Sequence, residues 1–293
     1  MSRGVSVLTP ADTVRGMATK NNLPHLTWLK QAGTALSTSD GKPVGVWELV
    51  VDTNDEATLK RWAAHFRQHY CLDSKIDELC SGTGLSRAEY LRQLVFPSAD
   101  SKLGPGVRSG DFAEILLSDL LEDQFGFWVP RTRYADKSVR DESAKGTDVL
   151  GFKFAKGNFT PSPQDILVVA ESKAQMSGKK ANPRLQAAVD DSAKDALRKG
   201  ESLNAAKRRL LADQRRQEAL AVERFQDPND RPYKMQSGAA AVFSSEVFDA
   251  DNICSTTNCK DHPNAAHLFL VAVHSKELMK LVHALYERAA NEA

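Results

Sequence analysis

The chain has 293 residues, with 39 Lys and Arg against 38 Asp and Glu and a formal charge of +1. It is long enough for a full core, and its charge balance gives no overall field toward nucleic acid or an anionic membrane, so any such surface has to be local. Four cysteines are too few for a disulfide framework, Met1 to Ser6 carries no apolar secretion signal, and the longest apolar run, Leu268 to Val273, is far shorter than a bilayer span; these point to a reducing, cytoplasmic setting with no membrane.

The first forty residues, with Pro10, Pro24 and the cluster Ser37-Thr38-Ser39-Asp40-Gly41, read as irregular or partly paired. Val44 to Val51 reads as a strand, followed by the cap Thr53-Asn54-Asp55-Glu56 and a helix with Leu59, Trp62, Ala63 and Phe66 at helical spacing. Helical signals resume at the cap Ser86 with Glu89 three residues on, and stop at Pro97. Ser98 to Ser109 reads as a loop and a domain boundary, and Asp111 to Phe125 as a helix closed by Gly126. Strands are expected over Phe127 to Tyr134, Asp148 to Phe154 and Ile166 to Lys173, with a charged loop from Ala135 to Lys145. Asn182-Pro183 reads as an N-cap and first residue opening two helices, interrupted at Gly200 and ended by Pro228. Ala239 to Val247 and His267 to His274 read as strands, and Ser275 to Arg288 as an amphipathic helix with Leu278, Leu281, Val282 and Leu285 inward.

The chemistry centres on Gln164 to Lys173, where the β-branched run Ile166-Leu167-Val168-Val169 ends in Glu171-Ser172-Lys173. Side chains on a strand alternate, so Glu171 and Lys173 share a face. Asp148 enters the preceding strand, and Glu114 stands inside the most apolar helical run. Two carboxylates on neighbouring strands suit Mg²⁺ or Mn²⁺, which take hard oxygen ligands. A cation there polarises a phosphate and activates water, Lys173 orients that water or stabilises charge, and Glu114 completes the ligand set directly or through water. Gln175 continues the Glu171 face if the strand runs on.

This ordered set resembles the PD-(D/E)xK nuclease superfamily: a helix with Glu114, a strand, a strand with Asp148, then Glu171-Ser172-Lys173 and a helix. Thr147 stands where that motif has proline. The resemblance implies an α/β fold with a restriction-endonuclease-like core, a mixed sheet flanked by helices, and Mg²⁺-dependent cleavage of DNA. Ala88-Glu89-Tyr90-Leu91, Val95-Phe96-Pro97, Arg108 to Ile115, Gly146 to Phe152 and Glu171-Ser172-Lys173 further resemble HamA, the nuclease subunit of Hachiman antiphage defence, and the AbpA-type subunit is similar. That implies metal binding by Asp148, Glu171 and Glu114, a catalytic Lys173, and a superfamily 2 helicase partner (HamB-like) that holds the nuclease inactive until it meets damaged or phage DNA. The chain then divides into a mostly helical accessory region, 1–104, and a nuclease domain, 105–293. A competing expectation is a non-catalytic nuclease-fold scaffold that docks and regulates the helicase.

Other features read more plainly. The basic run Lys194, Arg198, Lys199, Lys207, Arg208, Arg209, Arg215 and Arg216 is interspersed with acids and reads as a solvated, ion-paired helix, with a phosphate-tracking surface as the alternative. Arg131, Arg133, Lys179 and Lys180 are comparable phosphate-facing candidates. Cys254, Cys259, His262 and His267 match a zinc spacing only loosely, and a polar loop from Asp249 to Asn264 is the favoured reading. His65 and His69, four apart on a helix, read as surface residues.

Overall fold

The computed structural model describes residues 23–33, 35–157 and 160–293; the irregular start expected over 1–22 falls outside them. Apolar runs rich in Val, Leu and Ala form the strands β1 (Leu29–Gln31), β2 (Leu36–Ser37), β3 (Pro43–Leu49), β4 (Val149–Lys153), β5 (Ile166–Gln175), β6 (Lys234–Ser244) and β7 (Leu268–Ser275). They make one mixed sheet in the order β1-β3-β7-β6-β5-β4, with β2 also on β3. β3, β7, β6 and β5 run parallel. β4 is antiparallel to β5, and β1 and β2 are antiparallel to β3. The parallel centre is apolar on both faces, as a sheet covered on both sides requires.

Along β5 the alternation is explicit. Val168 and Ala170 face one core with Trp62, Phe66, Phe112, Leu116, Val282 and Tyr286, from α1 (Glu56–Gln68), α4 (Gly104–Asp123) and α9 (Leu278–Asn291). Leu167 and Val169 face the other, with Leu203, Ala206, Leu210 and Val222, from α6 (Asp195–Ala212) and α7 (Arg216–Glu223). α5 (Arg184–Ser192) and α8 (Ala250–Thr256) cover β6 and β7 on that second side. The remaining helices, α2 (Ile76–Cys80) and α3 (Arg87–Tyr90), are short; Ser86 and Glu89 close a capping box on α3, and Asp55 caps α1 through Thr58 N at 3.0 Å.

Several boundaries differ from the sequence expectation. α4 begins at Gly104, inside the expected loop. Pro105 suits a first helical turn, and a side chain at Gly104 would lie 2.1 Å from the Ser98 carbonyl oxygen. Phe127 to Tyr134 is not a strand: it contributes one bridge, Trp128 to Phe152. Pro130 lacks an N–H to donate, and Arg131 turns the chain at φ 51°. Pro183, not Asn182, occupies the cap position of α5. The helix after it breaks at Ala193-Lys194, and α6 runs through Gly200; an interior glycine costs only about 1 kcal/mol, and buried Leu203, Ala206 and Leu210 hold that helix to the sheet. The loop expected from Asp249 contains α8, which Asp249 caps through Asn252 N at 2.9 Å. The boundary expected at 104/105 falls at the start of α4, while β3 before it and β7 after it pair within the same sheet. Among the described residues, no helix is long and apolar enough to cross a membrane.

Candidate functional site

β4 is an end strand of the sheet, and Asp148 stands immediately before it, opposite the last half of β5. Gly146, at φ 93°, turns the chain so that Thr147 N donates to Ser202 Oγ at 3.1 Å. Asp148 N then donates to Glu171 Oε1 at 3.3 Å, and Ser172 N donates to Asp148 Oδ2 at 3.0 Å. The antiparallel register thus sets the two carboxylates side by side on the α6 face of the sheet. Lys173 follows on that face: Nζ lies 3.7 Å from Glu171 Oε2 and 2.8 Å from Asp191 Oδ2 on α5.

Glu114 joins this group indirectly. It sits on α4, on the opposite face of the sheet, and Arg133 reaches round the β4 edge between them. Arg133 Nε donates to Glu114 Oε2 at 2.7 Å, and its Nη2 donates to Asp148 Oδ1 at 2.7 Å and to the Ala144 carbonyl at 2.8 Å. Arg133 and Arg131, expected as phosphate-facing, therefore turn inward. Gln175 lies on β5 as expected, but its amide is used by the following loop: Nε2 donates to Lys180 O at 2.8 Å, and Oε1 accepts from Asn182 N at 2.8 Å.

Two further acids complete the cluster: Asp195, which the sequence reading treated as a solvated helix charge, and Asp191, which it did not single out. Asp191 holds Lys173, and Asp195, the first residue of α6, accepts from Thr147 Oγ1 at 3.0 Å. Asp195 is 0 % exposed and Glu171 3 %. The signal for Asp195 was faint: an acid at a helix start is common for reasons of the macrodipole alone.

The electrostatics follow from this crowding. Burial, with Asp148 and Asp195 adjacent, pushes Glu171 up to about 9. Burial likewise lifts Asp195 to about 6, against the hydrogen bond from Thr147 and the charge of Arg198. Glu114 rises to about 8 through burial and the nearby Asp148 and Asp111, with Arg133 opposing. Burial disfavours the charge of Lys173, but Asp191, Asp148 and Glu171 more than reverse this and hold it above the ordinary lysine value. The cluster is a set of hard oxygen donors in which Glu171 and Glu114 would keep their protons at neutral pH unless a cation displaced them.

A second buried cluster lies further along α4. His69 is buried and His65 half-buried, a correction to their surface reading, and their donor atoms and that of Asp119 all lie within 4.8 Å of one another. They are the group of three metal-type donors that converges among the described residues. The Arg131 guanidinium fills this position: Nη1 donates to His69 Nε2 at 2.5 Å, and Nη2 lies 2.7 Å from Asp119 Oδ1 and 2.6 Å from Glu122 Oε2, while His65 Nε2 donates to Asp119 Oδ1 at 2.8 Å. Burial and Arg131 hold His69 well below its ordinary value, hence neutral and able to accept.

Cys254, Cys259, His262 and His267 do not converge as metal donors among the described residues. His262 lies 3.0 Å from Ser192 Oγ through Nε2 and accepts from Asn264 N at 3.0 Å through Nδ1, while His267 is exposed. The basic run is laced with ion pairs, as the plainer reading expected: Lys194 with Asp191, Lys207 with Glu223, and Arg215 with Glu218.

No curated protein and no solved structure matches the chain significantly. A family model for HamA matches residues 24–289, which includes every residue of the Asp148 site and both faces of the sheet around it. The chain therefore belongs to the HamA family, whose members are subunits of Hachiman antiphage defence.

Proposed function

We propose that the chain is a metal-dependent deoxyribonuclease with a PD-(D/E)xK core, the effector of a defence complex in which a partner superfamily 2 helicase controls its access to DNA. The observation that carries this is the pairing of Asp148 and Glu171 across β4 and β5, with Lys173 next on the same face. The donor set fits Mg²⁺ or Mn²⁺, because Asp148 and Glu171 are crowded hard-oxygen donors on adjacent strands, and burial raises Glu171 and Glu114 in pKa. Asp148 and Glu171 would hold the ion, and Glu114 would enter once Arg133 releases it. Bound there, a divalent cation would polarise the scissile phosphate and acidify the attacking water.

The rest is done by the chain's own groups. Lys173 stays charged, so it serves as a cation that orients water and stabilises the developing negative charge, not as a proton acceptor. Asp191 fixes its ammonium 2.8 Å away. Ser172 N pins Asp148 Oδ2 and thereby orients the carboxylate.

The test is cleavage of linear and supercoiled DNA by the purified chain, alone and with its helicase, in Mg²⁺, Mn²⁺ or EDTA, beside a Glu171→Ala, Lys173→Ala double variant. Metal-dependent cleavage that disappears in the variant is expected. Cleavage that persists in it overturns the site, and no cleavage under any condition favours the regulatory scaffold.

A further inference from the structure

The histidine cluster between α1 and α4 is built from two helices. His65 stands in the last turn of α1 and His69 at its C-cap, and this spacing of four sets both imidazoles on one side of the helix. Asp119 faces them from α4. Its Oδ1 accepts from His65 Nε2 at 2.8 Å, and its Oδ2 lies 2.9 Å from His25 Nε2, so one oxygen is turned to the imidazole pair and the other is tied from behind. The donor atoms of His65, His69 and Asp119 all lie within 4.8 Å of one another. Ligand atoms around tetrahedral Zn²⁺ stand about 3.3–3.5 Å apart, so the three need to close by at most roughly 1.5 Å.

Arg131 stands among these donors, but not at ease. Its Nε is buried without a hydrogen-bond partner, and its backbone is held at φ 51°, in the left-handed region that a side chain disfavours. Its charge also needs less than it is given. Asp119 and Glu122 already set two carboxylates against one guanidinium, and two imidazoles add nothing to that balance, whereas imidazole nitrogen is a preferred ligand of transition-metal dications. A cavity of about 60 Å³, lined in part by His69, Ser118 and Arg131, gives the guanidinium room to move. Because Nη2 lies 2.6 Å from Glu122 Oε2, Arg131 can leave His69 and Asp119 while its charge stays paired.

We propose that His65, His69 and Asp119 form a site for a transition-metal dication of the Zn²⁺ class, which takes the place of the Arg131 guanidinium and ties α1 to α4. The donors set the class: two imidazole nitrogens and one carboxylate suit Zn²⁺, while Mg²⁺ takes oxygen ligands. The site therefore differs in chemistry from Asp148 and Glu171 and does not depend on the nuclease reading. To bind, His65 exchanges the hydrogen on Nε2 for one on Nδ1, so the imidazole stays neutral and no net proton is released. Its side chain is 17 % exposed, which gives the ion an approach from solvent. Three protein ligands leave a fourth position to water.

The experiment is a titration of the full chain with Zn²⁺ by calorimetry and with Co²⁺ by visible absorption, in excess Mg²⁺. It uses an Asp148→Asn, Glu171→Gln background, which disables the other carboxylate pair, alone and with His65→Gln, His69→Gln or Arg131→Met added. The background chain is expected to bind one equivalent of either ion, Co²⁺ with the intense visible bands of a low-coordinate site, and its melting midpoint should rise with metal. Each histidine variant should bind at least about tenfold more weakly, since loss of even a supporting hydrogen bond costs about 10–100-fold. Arg131→Met should bind several-fold more tightly, because no guanidinium has to be displaced. That gain, together with a metal-induced rise in its melting midpoint, keeps the test decisive should a histidine variant fail to fold. No Zn²⁺ or Co²⁺ bound by the background chain, affinity unchanged in both histidine variants, or no gain in Arg131→Met overturns the site. Each of these failures leaves the nuclease reading standing, because the background already lacks Asp148 and Glu171.

Discussion

Arg133→Met is the sharpest test of how the site is held together. The guanidinium contacts Glu114 and Asp148 at 2.7 Å each and also bonds the Ala144 carbonyl, and the side chain is largely buried. Removing one partner of a buried ion pair costs about 3–5 kcal/mol. At roughly 2–4 °C per kcal/mol for a chain of this class, the melting midpoint of the metal-free protein should fall by about 6–20 °C. The loss should depend on pH. Glu114 has a folded pKa raised to about 8, so the folded chain holds a proton that the unfolded chain releases, and the associated stability is lost as pH rises from the ordinary glutamate range through the folded value. Without Arg133 to favour the charged form, the folded pKa moves higher still, and the destabilisation should be larger at pH 8.5 than at pH 5.5. Arg133→Lys should recover only part, because an ammonium cannot reach both carboxylates as a planar fork does. Calorimetric or denaturant melts at the two pH values measure this. A change below about 1 kcal/mol, equal at both, would refute the claim that Arg133 is the counterion of Glu114 and Asp148.

Three further outcomes follow from the same geometry. Glu171→Gln should raise the melting point of the metal-free chain at pH 8 and change it little at pH 4, since a raised acid pKa removes stability between its unfolded and folded values; an equal shift at both pH values in the melts contradicts this. Asp119→Asn should cost about 1–3 kcal/mol by removing the buried carboxylate that Arg131, His25 and His65 share, with Glu122 left as the remaining counterion of Arg131. Its loss should be greatest near neutral pH and shrink in acid: Asp119 is held well below the carboxylate range by His65 and Arg131 against the effect of burial, so its contribution disappears as pH falls through that low value. Urea melts across pH measure both features. Gln175→Ala should speed amide hydrogen exchange over residues 177–182, whose backbone its amide ties down, while Mn²⁺ stoichiometry stays unchanged; slow exchange in that loop would show that the amide does not hold it.

The apolar runs of β3, β5, β6 and β7, the caps at Asp55 and Ser86 and the amphipathic face of α9 are local signals, and periodicity made them legible. So was the shared face of Glu171 and Lys173, because alternation along a strand is a property of the backbone alone. What lay beyond periodicity is what depends on distant partners. The start of α4 at Gly104 rests on close approach to Ser98, and the continuity of α6 through Gly200 rests on side chains buried against the sheet. His65 and His69 looked like surface residues because nothing nearby in sequence supplies Asp119 and Arg131, which enclose them in the fold. For the same reason Arg133 looked like a phosphate-facing charge and Asp195 like a solvated one. Only tertiary structure turned them inward, because a buried charge is tolerable only beside an opposite charge or a hydrogen-bond partner, and those partners lie on other elements of the chain.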